Sequence, residues 1–112
     1  MIVVIADDFS GAAELAGVAA ARGFKAEVQT RFEPQADADV IAVTTETRLL
    51  DEREAVRITG EIAQQIAAAN PAWIYKKTDS VLRGNIRAEI VAILAVTGQT
   101  GCLASVRRGV CL

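Results

Sequence analysis

Residues 2–16 read IVVIADDFSGAAELA, and this stretch decides the fold. Ile2–Ala6 is an unbroken apolar run rich in β-branched residues, the pattern of a strand buried on both faces. The acidic turn Asp7-Asp8 ends it. Ser10 is placed to cap a helix, and Leu15, Val18 and Ala19 then recur at helical spacing. A doubly buried strand that runs straight into an amphipathic helix predicts a parallel sheet. Parallel neighbours need a crossover, and the crossover helix covers a face.

The same grammar continues outward. Arg22 extends the helical stripe into a last turn where its charge suits the macrodipole, and Gly23 supplies a left-handed cap. Residues 25–30 (KAEVQT) alternate like a strand with one exposed face, and Val40–Thr44 is a second buried strand. Asp51 and Glu54 form a capping box before a long helix with Ala55, Ile58, Ile62 and Ile66 on one face; Asn70-Pro71 stops it. Trp73–Lys77 reads as a short strand. Asn85 is placed to cap a third helix with Ile86, Ile90, Ile93 and Leu94 inward. The order β-α-β-β-α-β-α predicts an α/β fold, a mainly parallel sheet with helices on both faces. Residues 97–112 (TGQTGCLASVRRGVCL) show no period and carry two cysteines, Cys102 and Cys111, whose spacing fits neither a redox nor a zinc motif. The reading is therefore a partial domain over residues 1–96 and an atypical tail over 97–112, together an incomplete N-terminal part of a larger domain.

Composition narrows the chemistry. The chain is 52% hydrophobic and 23% charged, which is globular composition, and a net charge of −2 gives no general pull toward nucleic acid or membrane. No signal-peptide pattern opens it, so the expected address is cytoplasmic. There is no histidine, which removes His-based acid–base catalysis and Ser-His-Asp triads. Proton transfer falls to a carboxylate, Lys or Tyr.

In an open α/β sheet, ligands bind outside the carboxyl ends of the strands. Three polar clusters fall there: Asp7-Asp8, then residues 44–48 (TTETR), then residues 76–85 (KKTDSVLRGN). Asp7 and Asp8 can orient hydroxyls, hold a hard cation or act as base; alternatively they are a solvated strand end. Adjacent residues on a strand point to opposite faces, so one of them is expected to face the site and the other to cap the helix. Arg48 and Arg83 can each grip a carboxylate or phosphate. The segment around Lys77, Asp79, Ser80, Arg83 and Gly84 combines cations, a carboxylate, a hydroxyl and a flexible Gly before a helix N-terminus, the inventory that a small acid rich in hydroxyls requires. Neither GxxxxGK[ST] nor GxGxxG is present.

IADDFSGAAELA resembles the N-terminal signature of the four-carbon acid sugar kinases, IADDFTGAxD. YKKTDSVLRGNIRAEI resembles their second signature, KKxDSTLRGNxGAE, and TTETR resembles their strand-end segment with a Ser/Thr and an Arg. The resemblance covers residues 1–96. It implies an ATP-dependent kinase of a sugar acid such as threonate, erythronate or 3-oxo-tetronate. In that family the N-terminal domain binds the acid, and a C-terminal domain supplies most of the site for ATP and its Mg²⁺. By implication the substrate-binding residues are Asp7, Asp8, Arg48, Lys77, Asp79, Ser80, Arg83 and Gly84. Asp8 and Asp79 are the catalytic candidates, Arg48 and Arg83 hold the carboxylate, and Lys77 balances charge near the transferred phosphoryl. No metal site and no tightly bound ATP are expected in this chain alone.

The sequence also departs from the signatures. Ser10 replaces Thr, Glu14 stands where Asp is common, Val81 replaces a hydroxyl residue and Arg87 a small one; after the third helix the family pattern gives way to residues 97–112. A frameshifted or stopped gene would explain that ending, a genuine surface tail being the alternative, and the chain alone is expected to lack kinase activity. Two competing readings remain. One is a non-catalytic remnant that binds a sugar acid or associates with itself through an exposed sheet edge. The other is a receiver-like signalling domain, which needs an Asp after the third strand where this chain has VTTETR.

Overall fold

A computed structural model describes residues 1–35, 37–79 and 81–98. Ser80, Cys102, Cys111 and the residues of the tail after Gly98 lie outside the described residues. The elements follow the predicted order: β1 (Ile2–Ala6), α1 (Phe9–Ala21), β2 (Ala26–Gln29), β3 (Val40–Thr44), α2 (Glu52–Ala68), β4 (Trp73–Lys77) and α3 (Ile86–Thr97). The four strands form one parallel sheet in the order β2-β3-β1-β4. The two β-branched runs are thus the central strands, where both faces are covered, and β3 is buried at all its positions.

The pleat sorts these runs into two cores. Val3, Ile5, Ile41 and Val43 face one side and pack with Phe32, Ala63 and Ile66 of α2 and Ile93 of α3. Val4, Ala6, Val40 and Ala42 face the other side and pack with Ala12 and Ala16 of α1. Helices therefore cover both faces.

The α1 face differs from the predicted stripe. Gly11, Ala12 and Ala16 are buried, Leu15 and Ala19 partly so, and Val18 is exposed. Small side chains let the helix approach the sheet closely, whereas Val18 points away from it. The cap differs too: Asp8, not Ser10, is the N-cap, and its Oδ1 accepts from Gly11 N at 2.9 Å. Gly23 takes the left-handed conformation expected of it, at φ 89°. On α2, Asp51 accepts from Glu54 N at 2.9 Å, but Glu54's own side chain turns to Arg57, so the capping box is half-formed. Ala55, Thr59, Ala63 and Ile66 are its buried residues. Asn85 stands at the N-cap of α3 without a side-chain cap bond; its Nδ2 donates to Leu50 O instead, at 2.8 Å. The buried residues of α3 are Ile93 and, unexpectedly, Glu89.

Among the described residues β4 is an edge strand. Register pairs Ile2 with Trp73 and Val4 with Tyr75, so these side chains share the α1 face. That helix packs across β3, β2 and β1. Beyond it, Trp73 is 71% and Tyr75 50% exposed. Among the described residues no helix is long and apolar enough to cross a membrane.

Candidate functional site

Register alone assembles the site. Ala6, the last residue of β1, pairs with Thr44 at the end of β3 and with Lys77 at the end of β4. The three following segments therefore leave the sheet side by side, and main-chain bonds stitch two of them together. Thr45 N donates to Ala6 O at 2.8 Å, while Thr47 N and Arg48 N both donate to Asp7 O, at 3.0 and 3.2 Å. Glu46 sits at φ 53° inside this turn, and its Oε1 accepts from Thr44 Oγ1 at 2.8 Å.

Arg48 is the hub. Its Nε and Nη2 donate to Asp7 Oδ2 and Oδ1 at 3.3 and 3.0 Å; its Nη1 and Nη2 donate to Asp8 Oδ2 and Oδ1 at 3.1 and 3.2 Å. Both aspartates thus face the site, against the expectation that only one would. They lie beyond the last strand residue, so strand alternation no longer separates them, and Asp8 caps α1 as well. A guanidinium carries five N–H donors in a rigid fork. Four of Arg48's meet Asp7 and Asp8, and Nη1 also lies 3.6 Å from Asp79 Oδ1. The hydrogen bond to Asp7 is the main reason that Arg48 is held above its usual pKa.

Asp79 organises the 78–85 loop. Its Oδ2 accepts from Val81 N, Arg83 N and Arg83 Nε, the last at 2.8 Å, and its Oδ1 accepts from Arg83 Nη2 at 3.0 Å. The Arg83 hydrogen bond holds the Asp79 carboxyl well below the usual carboxylate range, and Arg83 is raised in return. Asp79 is buried, yet Arg83's side chain is 67% exposed. Gly84 has φ 92°, a conformation that L side chains rarely adopt; a Cβ there would lie 2.8 Å from Asp7 Oδ2. The loop can therefore close on Asp7 only with glycine at this position. Lys77 reaches back along α1: its Nζ donates to Thr78 O at 2.8 Å and lies 3.8 Å from Glu14. A Cβ on Gly11 would come within 3.3 Å of its stem.

Asp7, Asp8, Arg48, Asp79, Arg83 and Gly84 thus form one cluster, with Lys77 at its border. Three carboxylates stand against three cations, so the cluster suits a ligand that brings both a charge and hydroxyls. The aspartates surround a guanidinium rather than an open position, and among the described residues no group of three or more acidic or thiol side chains is disposed to hold a metal ion. Sequence reasoning missed Glu89 and Lys76, which lie beneath the cluster. Both were signalled: Lys76 and Glu89 are the first and last residues matching the second signature, and Glu89 also falls on the inward stripe of α3 between Ile86 and Ile93. Two surface hollows, one beside Lys25 and Asp37 and one beside Asn70 and Ile74, do not touch the cluster.

Residues 2–108 match the family described as the sugar-binding N-terminal domain. The chain belongs to that family. A D-erythronate kinase of Heliobacterium modesticaldum is 36% identical over 102 residues, which is 87% of this chain and 23% of the relative. A D-threonate kinase of Salmonella typhimurium is 34% identical over 96 residues, covering 83% of this chain and 23% of the relative. A solved DUF1537 domain from Bordetella bronchiseptica, a domain-swapped dimer with bound citrate, superposes with a TM-score of 0.82 at 30% identity, covering 92% of this chain and 28% of that one. This sugar-binding N-terminal domain therefore spans about a quarter of the length of the curated relatives it matches.

Proposed function

We propose that this chain binds a four-carbon sugar acid of the erythronate or threonate type and forms the acceptor-substrate part of an ATP-dependent kinase. The observation that carries this reading is the convergence of Asp7, Asp8, Arg48, Asp79 and Arg83 at the carboxyl ends of β1, β3 and β4. Arg83, with its exposed guanidinium, receives the ligand carboxylate. Arg48 is committed to Asp7 and Asp8 and holds them in place as hydroxyl acceptors. Asp8 and Asp79, each bonded by an arginine, are the two candidates for the catalytic carboxylate; Lys77 borders the cluster, and Ser80 is kept as a substrate-binding candidate from the sequence alone. The family resemblance assigns the donor nucleotide and its metal to the further length found in the relatives.

Calorimetry tests the reading directly. D-erythronate or D-threonate is expected to bind, erythritol (the same chain of hydroxyls without the carboxylate) is expected not to, and R83A abolishes the difference. Failure of every sugar acid to bind overturns it.

A second reading rests on a separate observation. Among the described residues β4 is an edge, and Trp73 and Tyr75 lie exposed on one of its faces. Self-association through that edge is the expected consequence. Light scattering across a concentration series checks it: W73S is expected to shift the population toward monomer, and a monomer at every concentration excludes it.

A further inference from the structure

Glu89 is the most deeply buried charged side chain of the described residues, 1% exposed, and recognition of a sugar acid as proposed above makes no use of it. Its Oε2 accepts from Thr47 Oγ1 at 2.8 Å, and Thr47 Oγ1 lies 2.7 Å from Thr45 Oγ1. The Thr45 hydroxyl reaches Ala6 O at 3.1 Å, at the end of β1. On the other side, Glu89 Oε1 is 3.3 Å from Lys76 Nζ without an aligned hydrogen bond, and Lys76 Nζ donates to Lys77 O at 3.0 Å.

Burying a carboxylate is costly, and an apolar residue would fill the space between α3 and the sheet at less cost. What Glu89 adds is a fixed acceptor. Thr47 directly precedes Arg48, and both of their N–H groups bond Asp7 O. Anchoring the Thr47 side chain therefore fixes the stretch of main chain from which Arg48 extends its fork. Glu89 also belongs to α3, the helix that the 78–85 loop leads into, so one side chain ties both site loops to each other.

We propose that Glu89 is a positioning residue: acting through Thr47, it holds the 44–48 turn so that Arg48 keeps Asp7 and Asp8 in place. The consequence for ligand affinity rests on the proposed function; the consequence for Arg48 does not.

The test uses T47V, which removes the hydroxyl at nearly constant shape, T47S, which restores it, and E89Q. Without ligand, the Arg48 Nε–H resonance is followed by ¹⁵N NMR, with R48K for assignment. A resolved, slowly exchanging signal is expected in the unmodified protein and in T47S, lost in T47V and weakened in E89Q. With ligand, T47V is expected to weaken sugar-acid binding about tenfold, and T47S to leave it near the unmodified value. An unchanged Arg48 signal in T47V overturns the proposal, as does T47S behaving like T47V, which would mean that packing rather than the hydroxyl matters. If T47V does not fold, E89Q decides by the same signal. If the unmodified protein binds no sugar acid while the signal responds as expected, the proposed function fails and the positioning role stands.

Discussion

Two arginines in this molecule sit between acids, and they differ in what surrounds them. Arg57, on the outer face of α2, pairs with Glu54 at 2.8 Å and Glu61 at 3.2 Å, all three side chains being largely in water. Arg48 pairs with Asp7 and Asp8 at similar distances, but Asp7 is only 2% exposed. Around Arg57, water screens the charges and would replace either partner, so such pairs contribute little. Around Arg48, the acids are fixed by main-chain bonds and by the close approach of Gly84, and water cannot take the guanidinium's place at Asp7. The same chemistry is a surface ornament in one place and a structural hub in the other. Distance does not separate the two; desolvation and backbone constraint do.

The comparison breaks first at Arg48. R48M keeps the apolar stem and removes the fork, leaving Asp7 buried without a counter-charge. A loss of about 3 kcal/mol is expected in urea denaturation; a loss near zero would place Arg48 in the same class as Arg57. G84A tests the constraint from the opposite loop. Its φ of 92° and the 2.8 Å approach to Asp7 together are expected to cost about 2 kcal/mol. A G84A protein of unchanged stability would show that the loop closes without glycine.

Asp79 sharpens the comparison through pH. Its folded pKa lies below the unfolded value of about 4. Its contribution is therefore fully present above that unfolded value and is lost as pH falls through the folded one. The gap in Tm between the unmodified protein and D79N is expected to hold from pH 7 to about pH 5 and to narrow only below about pH 4. A gap already closed at pH 5 would contradict the Arg83 clamp. Last and smallest, R57A is expected to leave Tm within measurement scatter, because nothing buried depends on it.

The seven elements were legible in the sequence because β-branched runs and strong stop signals mark them: IVVIA and VIAVT for the central strands, Gly23 and Asn70-Pro71 for two helix ends. The location of the polar cluster was legible because parallel topology brings the strand ends together. Other features were not. The residues of α1, FSGAAELAGVAAA, are small or apolar on almost every side, so periodicity could not pick Gly11, Ala12 and Ala16 over Val18. Asp8 and Ser10 are both good caps, and the choice between them depends on where the strand ends. The commitment of Arg48 to two aspartates depends on distances across the sheet, which local pattern does not encode. Glu89 was passed over because acids on helices ordinarily face solvent, although its position on the inward stripe of α3 was in plain view.

β4 carries a further consequence. Its apolar residues fall on both faces, Ile74 on one and Trp73 and Tyr75 on the other, so hydrophobicity alone does not fix its alignment against β1. The size of the side chains decides it, and the adjacent lysines split between the faces. Lys76 points to Glu89 under the sheet and Lys77 to Glu14 and α1 above it. A slip of one residue would only substitute one lysine for the other at Glu89, but it would turn the rings of Trp73 and Tyr75 into the α3 core where Ile74 now sits. The size of the side chains, rather than their charge, therefore holds this strand in register, and the two lysines of like charge serve opposite faces of the sheet.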